Sequence, residues 1–146
     1  MGTKDFTIAI TVDQPASEVF NAVRNVRAWW SEEIKGDTAN LNDEFDYQYG
    51  NVHRCKMKLV EVIPDKKVVW QVLDNFFSFT EDKTEWIGTK VIFDIVEKEN
   101  KTLLHFTHQG LVPTFECFGD CSNAWTMLIQ ESLLSLVTTG KGKDVF

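Results

Sequence analysis

The sequence predicts an α+β domain in which a curved antiparallel sheet of about six strands wraps around a long C-terminal helix. One or two short helices follow the first strand. Three observations carry this reading. Apolar and polar residues alternate in short segments between Phe6 and His108. Turn pairs such as Gly50-Asn51 and Pro64-Asp65 separate those segments. A single long stripe of helical period, from Trp125 to Val137, comes after them. Sequential hairpins form one antiparallel sheet with a wet face, and the apolar helical stripe must bury itself on the other face.

The elements follow in order. Phe6, Ile8, Ile10 and Val12 alternate with Thr7, Ala9 and Thr11, a strand with β-branched residues. Pro15 sits where a helix opens and Glu18 falls in its first turn. Val19, Phe20, Val23 and Val26 recur at helical spacing, which predicts a short helix over Ala16 to Asn25. Trp29 and Trp30 precede a polar stretch to Asp43 that reads as a short helix or loop. Phe45, Tyr47 and Tyr49 form the next strand. His53, Cys55, Met57 and Leu59 form another, with Arg54, Lys56 and Lys58 on its wet face. Val68, Trp70 and Val72 follow, then Val91, Phe93 and Ile95, then Leu104, Phe106 and His108.

The segment from Asn75 to Ile87 is irregular and carries Phe76, Phe77 and Phe79 beside Glu81, Asp82 and Lys83. Exposed aromatics need a surface to cover, so these either pack on the sheet edge or form a flap over a pocket mouth. A helix from Cys117, or slightly later, to about Thr139 buries Trp125, Leu128, Ile129, Ser132, Leu133, Leu136 and Val137. Gln130, Glu131 and Ser135 face away. Gly140 stops the helix, and Lys141-Gly142-Lys143 reads as a mobile tail.

The chain has 146 residues, the usual size of one domain, and no linker or repeat divides residues 1–146. A chain this long buries enough surface to fold without disulfide or metal. Eleven Phe, five Trp and two Tyr supply core volume and are also the residues that line apolar pockets. The net charge of −7 repels phosphate backbones, which excludes nucleic acid as a partner. No apolar run is long enough to span a membrane. The start, Met1-Gly2-Thr3-Lys4-Asp5, has no apolar signal core, and three Cys, an odd count, fit a reducing compartment; a cytoplasmic location is expected.

Several stretches resemble one family. They are Phe106-Thr107-His108-Gln109-Gly110-Leu111-Val112-Pro113, then Glu116-Cys117 and Cys121-Ser122-Asn123-Ala124-Trp125, then Ser132-Leu133-Leu134-Ser135-Leu136 and Thr138-Thr139-Gly140-Lys141-Gly142. The segment from Trp86 to Phe93 fits as well. Together with the element order, they resemble the START-like (SRPBCC) superfamily, in the AHSA-type branch named for the heat-shock-protein-90 ATPase activator. The resemblance covers nearly the whole chain and implies a helix-grip fold. For function it implies a scaffold: lipid carriers, hormone receptors, cyclases and co-chaperone domains share it. No catalytic residue set carries over. The activator has a separate N-terminal domain, and a full co-chaperone role is not expected of residues 1–146 alone.

The resemblance and the aromatic count together imply an apolar ligand pocket between helix and sheet. Its expected lining is Trp30, Tyr47, Trp70, Phe93, Phe106, His108, Phe115, Trp125, Ile129 and Leu133. The alternative for the same residues is a solid core. His108 shares a face with Leu104 and Phe106; an inward His orients a polar ligand group, acts as an acid or base, or is a partnered core residue. Cys117 and Cys121 are four apart at a helix opening, where the positive dipole end favours a thiolate. Glu116 and Asp120 oppose that charge, so the pair reads either as a reactive thiol pair or as small buried hydrophobes.

His105, His108, Glu116, Cys117 and Cys121 make a metal set only on paper, because His105 and His108 point to opposite faces of a strand. Asp13, Asp46 and Asp94 form no carboxylate pair, and Gly36, Gly50, Gly88 and Gly110 stand alone rather than in a phosphate loop. No cofactor or metal is expected. The expected function is binding of a small apolar or amphipathic molecule in an internal pocket. The alternatives are an enzyme of the cyclase or hydrolase type in the same pocket, and a chaperone-regulating or other protein-interaction module.

Overall fold

The structure, a computed structural model, describes residues 5–81, 84, 86–112 and 115–143. Among the residues named above, Met1, Gly2, Thr3, Lys4, Asp82, Lys83 and Pro113 lie outside this set.

The alternating segments pair as expected. Strand β1 (Phe6–Val12) lies antiparallel to the last strand, β7 (Lys101–Gln109), with Phe6 opposite His108 and Ile10 opposite Leu104. Strands β3 (Glu44–Tyr49), β4 (His53–Ile63), β5 (Lys67–Phe77) and β6 (Lys90–Lys98) complete a meander. A two-residue strand, β2 (Lys35–Gly36), adds to the free edge of β3. The open sheet is seven-stranded, in the order β1-β7-β6-β5-β4-β3-β2. The added strand is too short to show alternation. It exists because Gly36, with φ of +107°, lets the backbone reach a place where a Cβ would strike the Glu44 carbonyl. Register shifts between Lys56 and Met57 and between Leu59 and Glu61 bend the β4–β5 pair, and such bulges give a sheet its curl.

Helix α1 (Ala16–Arg24) starts after Pro15 and buries Val19, Phe20, Ala22 and Val23. Helix α2 (Val26–Trp29) carries Trp29 and Trp30 onto the sheet. The polar stretch that follows is held by side chains: Arg24 Nε donates to the Ala39 carbonyl at 2.8 Å and Arg27 Nε to the Ile34 carbonyl at 2.9 Å.

The long C-terminal helix has three parts: α3 (Phe118–Met127), a π-helical segment (Leu128–Leu133) and α4 (Leu134–Thr139). Its buried side is Trp125, Leu128, Ile129, Ser132, Leu133 and Val137, while Gln130 and Glu131 are exposed. Each π turn holds one more residue than an α turn, so the stripe rotates, and Leu136, expected inside, is only half-buried. Gly140 ends the helix at φ +85°.

The segment after Gly140 differs from the expected mobile tail. The Ser132 hydroxyl, fully buried, bonds the Trp29 carbonyl at 2.6 Å and accepts from the Lys143 N–H at 3.0 Å. Ser135 Oγ donates to the Lys141 carbonyl at 2.7 Å. A Cβ at Gly142 would collide with the Ala28 carbonyl. A buried hydroxyl needs partners, and a residue without a side chain lets the tail approach closely enough to supply them.

Candidate functional site

A cavity of about 160 Å³ lies between one end of the sheet and the start of the long helix. Alternation along β3 places Tyr47 and Tyr49 in its wall. Register then brings His53 opposite Tyr49, and Phe77 opposite His53. The helix supplies Cys121, Ala124, Trp125 and Leu128, a ladder at three- and four-residue spacing, with Asp120 beside it. Trp30 from the end of α2, and Phe79 and Trp86 from the segment after β5, complete the described lining. Phe79 and Tyr49 are half-exposed at 47% and 48%, so apolar surface reaches from the cavity to solvent.

Apart from Asp120, the described walls are uncharged. His53 stacks on Phe77 at 4.4 Å between ring centres and meets Trp86 edge-on at 4.8 Å. Burial pulls its pKa down to about 4, partly offset by its bond to Asn75. That bond joins His53 Nε2 and Asn75 Oδ1 at 2.9 Å, so Nε2 carries the proton and Nδ1 keeps its lone pair. Burial pushes the Tyr47 hydroxyl up to about 12, with a hydrogen bond from Trp30 acting in the other direction. The indole N–H of Trp86 is buried without a hydrogen-bond partner. Among the described lining residues there is no Lys or Arg, and Asp120 is the one carboxylate.

His108 is inward and fully buried, but it does not line this cavity. Thr89 Oγ1 spends its proton on the Trp86 carbonyl at 2.6 Å. It therefore accepts from His108 Nε2–H at 2.8 Å. Trp125 Nε1–H donates to His108 Nδ1 at 3.1 Å. Both ring nitrogens are occupied, and burial holds the imidazole pKa down to about 3. This is a partnered core histidine, not a ligand-orienting group or a proton donor, because no nitrogen is left to face a ligand.

Of the expected pocket residues, Trp30, Tyr47 and Trp125 meet at the cavity. Trp70, Phe93, Phe106, Ile129 and Leu133 do not line it: they are fully buried and pack on one another and on Trp29 deeper between helix and sheet. Phe115 is half-buried at the edge of that core. These side chains fill the middle of the grip, and the cavity lies at one end of it. The residues not anticipated as lining are Tyr49, His53, Trp86, Asp120, Cys121, Ala124 and Leu128, while Phe77 and Phe79 come from the segment read as an edge cover or a flap over a pocket mouth. Alternation carried the signal for Tyr49 and His53, which share faces with Tyr47 and Cys55. Trp86 carried none.

Cys117 and Cys121 are joined as a disulfide, with Cα atoms 5.5 Å apart. Both are buried, and Cys121 is in the cavity wall. Cys55 is the free cysteine, and burial pushes its thiol well up. Among the described residues no group of three or more His, Cys, Asp or Glu converges for a metal, and His105 is exposed on the face opposite His108. No helix among the described residues is long and apolar enough to cross a membrane.

An open groove of about 600 Å³ shares Trp30, Tyr47 and Tyr49 with the cavity. The rest of its lining mixes apolar Trp29 and Leu136 with the charged Arg27, Lys141, Lys143, Glu32 and Glu33.

No known family profile and no curated protein matches the chain in sequence. Solved structures match it in shape. The Aha1 dimer from Colwellia psychrerythraea superposes with a TM-score of 0.75 at 23% identity, over 95% of this chain and 99% of that one. DynU16, from the dynemicin biosynthetic locus, gives 0.68 at 15% identity over 97% of this chain and 49% of its own, so this chain spans about half of it. CalU16 from Micromonospora echinospora gives 0.65 at 17% identity, over 94% and 78% of the two chains. The chain therefore has the fold of these structures, an antiparallel sheet gripping a long C-terminal helix.

Proposed function

We propose that this protein binds a small apolar or amphipathic molecule in the cavity at the end of the grip. The observation that carries the reading is a space of about 160 Å³ walled by aromatic rings and open past Tyr49 and Phe79. Apolar cavities of about 150 Å³ stay dry and take up a single aromatic ring. Enclosing such a molecule removes roughly 200 Å² from water, a gross gain of about 5 kcal/mol. Association costs offset part of it, so a dissociation constant of about 1 mM or weaker is expected for a bare ring, and tighter for a ligand that also fills the groove.

Ethylbenzene should change the tryptophan emission in a saturable way. Ala124→Trp adds bulk at the helix side of the cavity and should remove binding while the protein stays folded. No saturable change in the parent, together with a loss of about 1–3 kcal/mol in the variant, would show close-packed core there and end the reading.

The second reading is a chaperone-regulating module, favoured by the likeness to an Aha1 structure along the full length of both chains. Titration of a purified heat-shock-protein-90 chaperone with this protein tests it. No heat of binding and no change in ATPase rate would set it aside. A cytoplasmic setting is our reading from the sequence; in a reducing compartment the Cys117–Cys121 pair would be held as thiols.

A further inference from the structure

The Cys117–Cys121 disulfide connects two parts of the cavity's surroundings. Cys117 caps α3 and is fully buried, while Cys121 is 5% exposed and stands in the cavity wall. Their Cα atoms are 5.5 Å apart, a span that a disulfide bridges without backbone movement. Glu116, next to Cys117, holds the segment that follows β5: its Oε2 accepts from the Glu81 N–H at 2.9 Å. Just before Glu81, Phe79 borders the cavity and packs on Phe77 at 5.1 Å between ring centres. The link thus joins the anchor of the mouth segment to the helix wall.

We propose that this pair is a reversible thiol–disulfide switch, reached through the cavity, that sets how tightly the cavity holds an apolar ligand. The proposal rests on the binding reading of the same cavity and adds its regulation. A small thiolate entering past Tyr49 and Phe79 meets the Cys121 side of the link. It bonds to Cys121 Sγ, and the electron pair of the broken S–S bond leaves on Cys117 Sγ. A second thiolate removes the first as an external disulfide, and both cysteines take up protons. Oxidation by a small disulfide runs the same steps backward. In the linked form Cys117, and with it Glu116 and the mouth segment, is tied to the wall. In the dithiol form the sulfurs separate to non-bonded contact and the tie is lost, so the linked form is the tighter binder. A ligand that prefers the linked form also resists its opening, because the coupling is reciprocal.

The test titrates the whole protein with ethylbenzene after oxidation by glutathione disulfide and again in dithiothreitol, reading tryptophan emission. The reduced protein should bind about fivefold more weakly, the low end of such couplings. Melts in both states separate this loss from unfolding. Cys117→Ser should bind as the reduced parent does and ignore dithiothreitol. Thiols alkylated after denaturation and counted by mass should rise on reduction from one per chain, Cys55, to three, and saturating ethylbenzene should slow the rise. Equal affinity in the two states overturns the proposal, as does reduction at an unchanged rate with ligand bound, or a count of three that oxidation does not lower. In each case saturable binding leaves the cavity reading standing. Ethylbenzene that binds neither form ends both.

Discussion

At the scale of residues, the two inward histidines have opposite meanings although the same pattern put them inside. His108 has both nitrogens engaged by Thr89 and Trp125, whereas His53 keeps one free at a cavity wall. The alternation along β4 and β7 was enough to place both rings on the core face. It was silent on their partners, because Thr89 and Trp125 come from distant parts of the chain. Both imidazoles are held neutral, with values near 3 and 4. These lie below the ordinary value of about 6.5, so the unfolded chain takes up more protons than the folded one as pH falls below that point. Stability from these groups is fully present above about pH 6.5 and is lost as pH falls toward the folded-state values. Each removes up to about 1.4 kcal/mol per pH unit in that window. Urea midpoints should therefore drop between pH 6.5 and 4.5, and His53→Gln should make the drop shallower. A profile flat over that range would mean that the rings accept protons in the folded state.

At the scale of elements, the long helix is the keystone of the core. Leu133→Ala deletes a fully buried branched side chain and should cost about 2–5 kcal/mol in denaturant melts. Gln130→Ala, on the exposed side, should change stability by less than about 0.5 kcal/mol. Equal losses would mean that the helix faces are misassigned. The helical stripe was readable from Trp125 to Val137, and of its residues Leu136, after the π-helical segment, is the one only half-buried, because widening of a helix answers to the packing around it and not to a local motif. The docked tail has the same origin. Its anchor is the Ser132 hydroxyl, and a serine in an apolar stripe is visible in sequence without its partner being so. Gly142→Ala should undock the tail and cost about 1 kcal/mol, read as a lower melting temperature and as faster amide exchange at Lys143. An unchanged variant would show that the tail gives way without loss.

At the scale of the whole molecule, the sheet and helix are expected to hold their core without the Cys117–Cys121 link. That disulfide closes a loop of four residues, for which chain entropy allows at most about 2 kcal/mol. Reduction should lower the melting temperature by a few degrees and leave a cooperative transition, and complete unfolding on reduction would contradict this. The sequence by itself determined the order of the elements, the inward face of each strand and the buried side of the helix, since these follow from side-chain periods of 2 and 3.6 residues acting locally. Only the tertiary structure decided that Trp70, Phe93, Phe106, Ile129 and Leu133 fill the centre while Trp30, Tyr47 and Trp125 border a space at one end. Periodicity tells which way a side chain points, but whether the volume it points into is filled depends on how side chains from every element meet there.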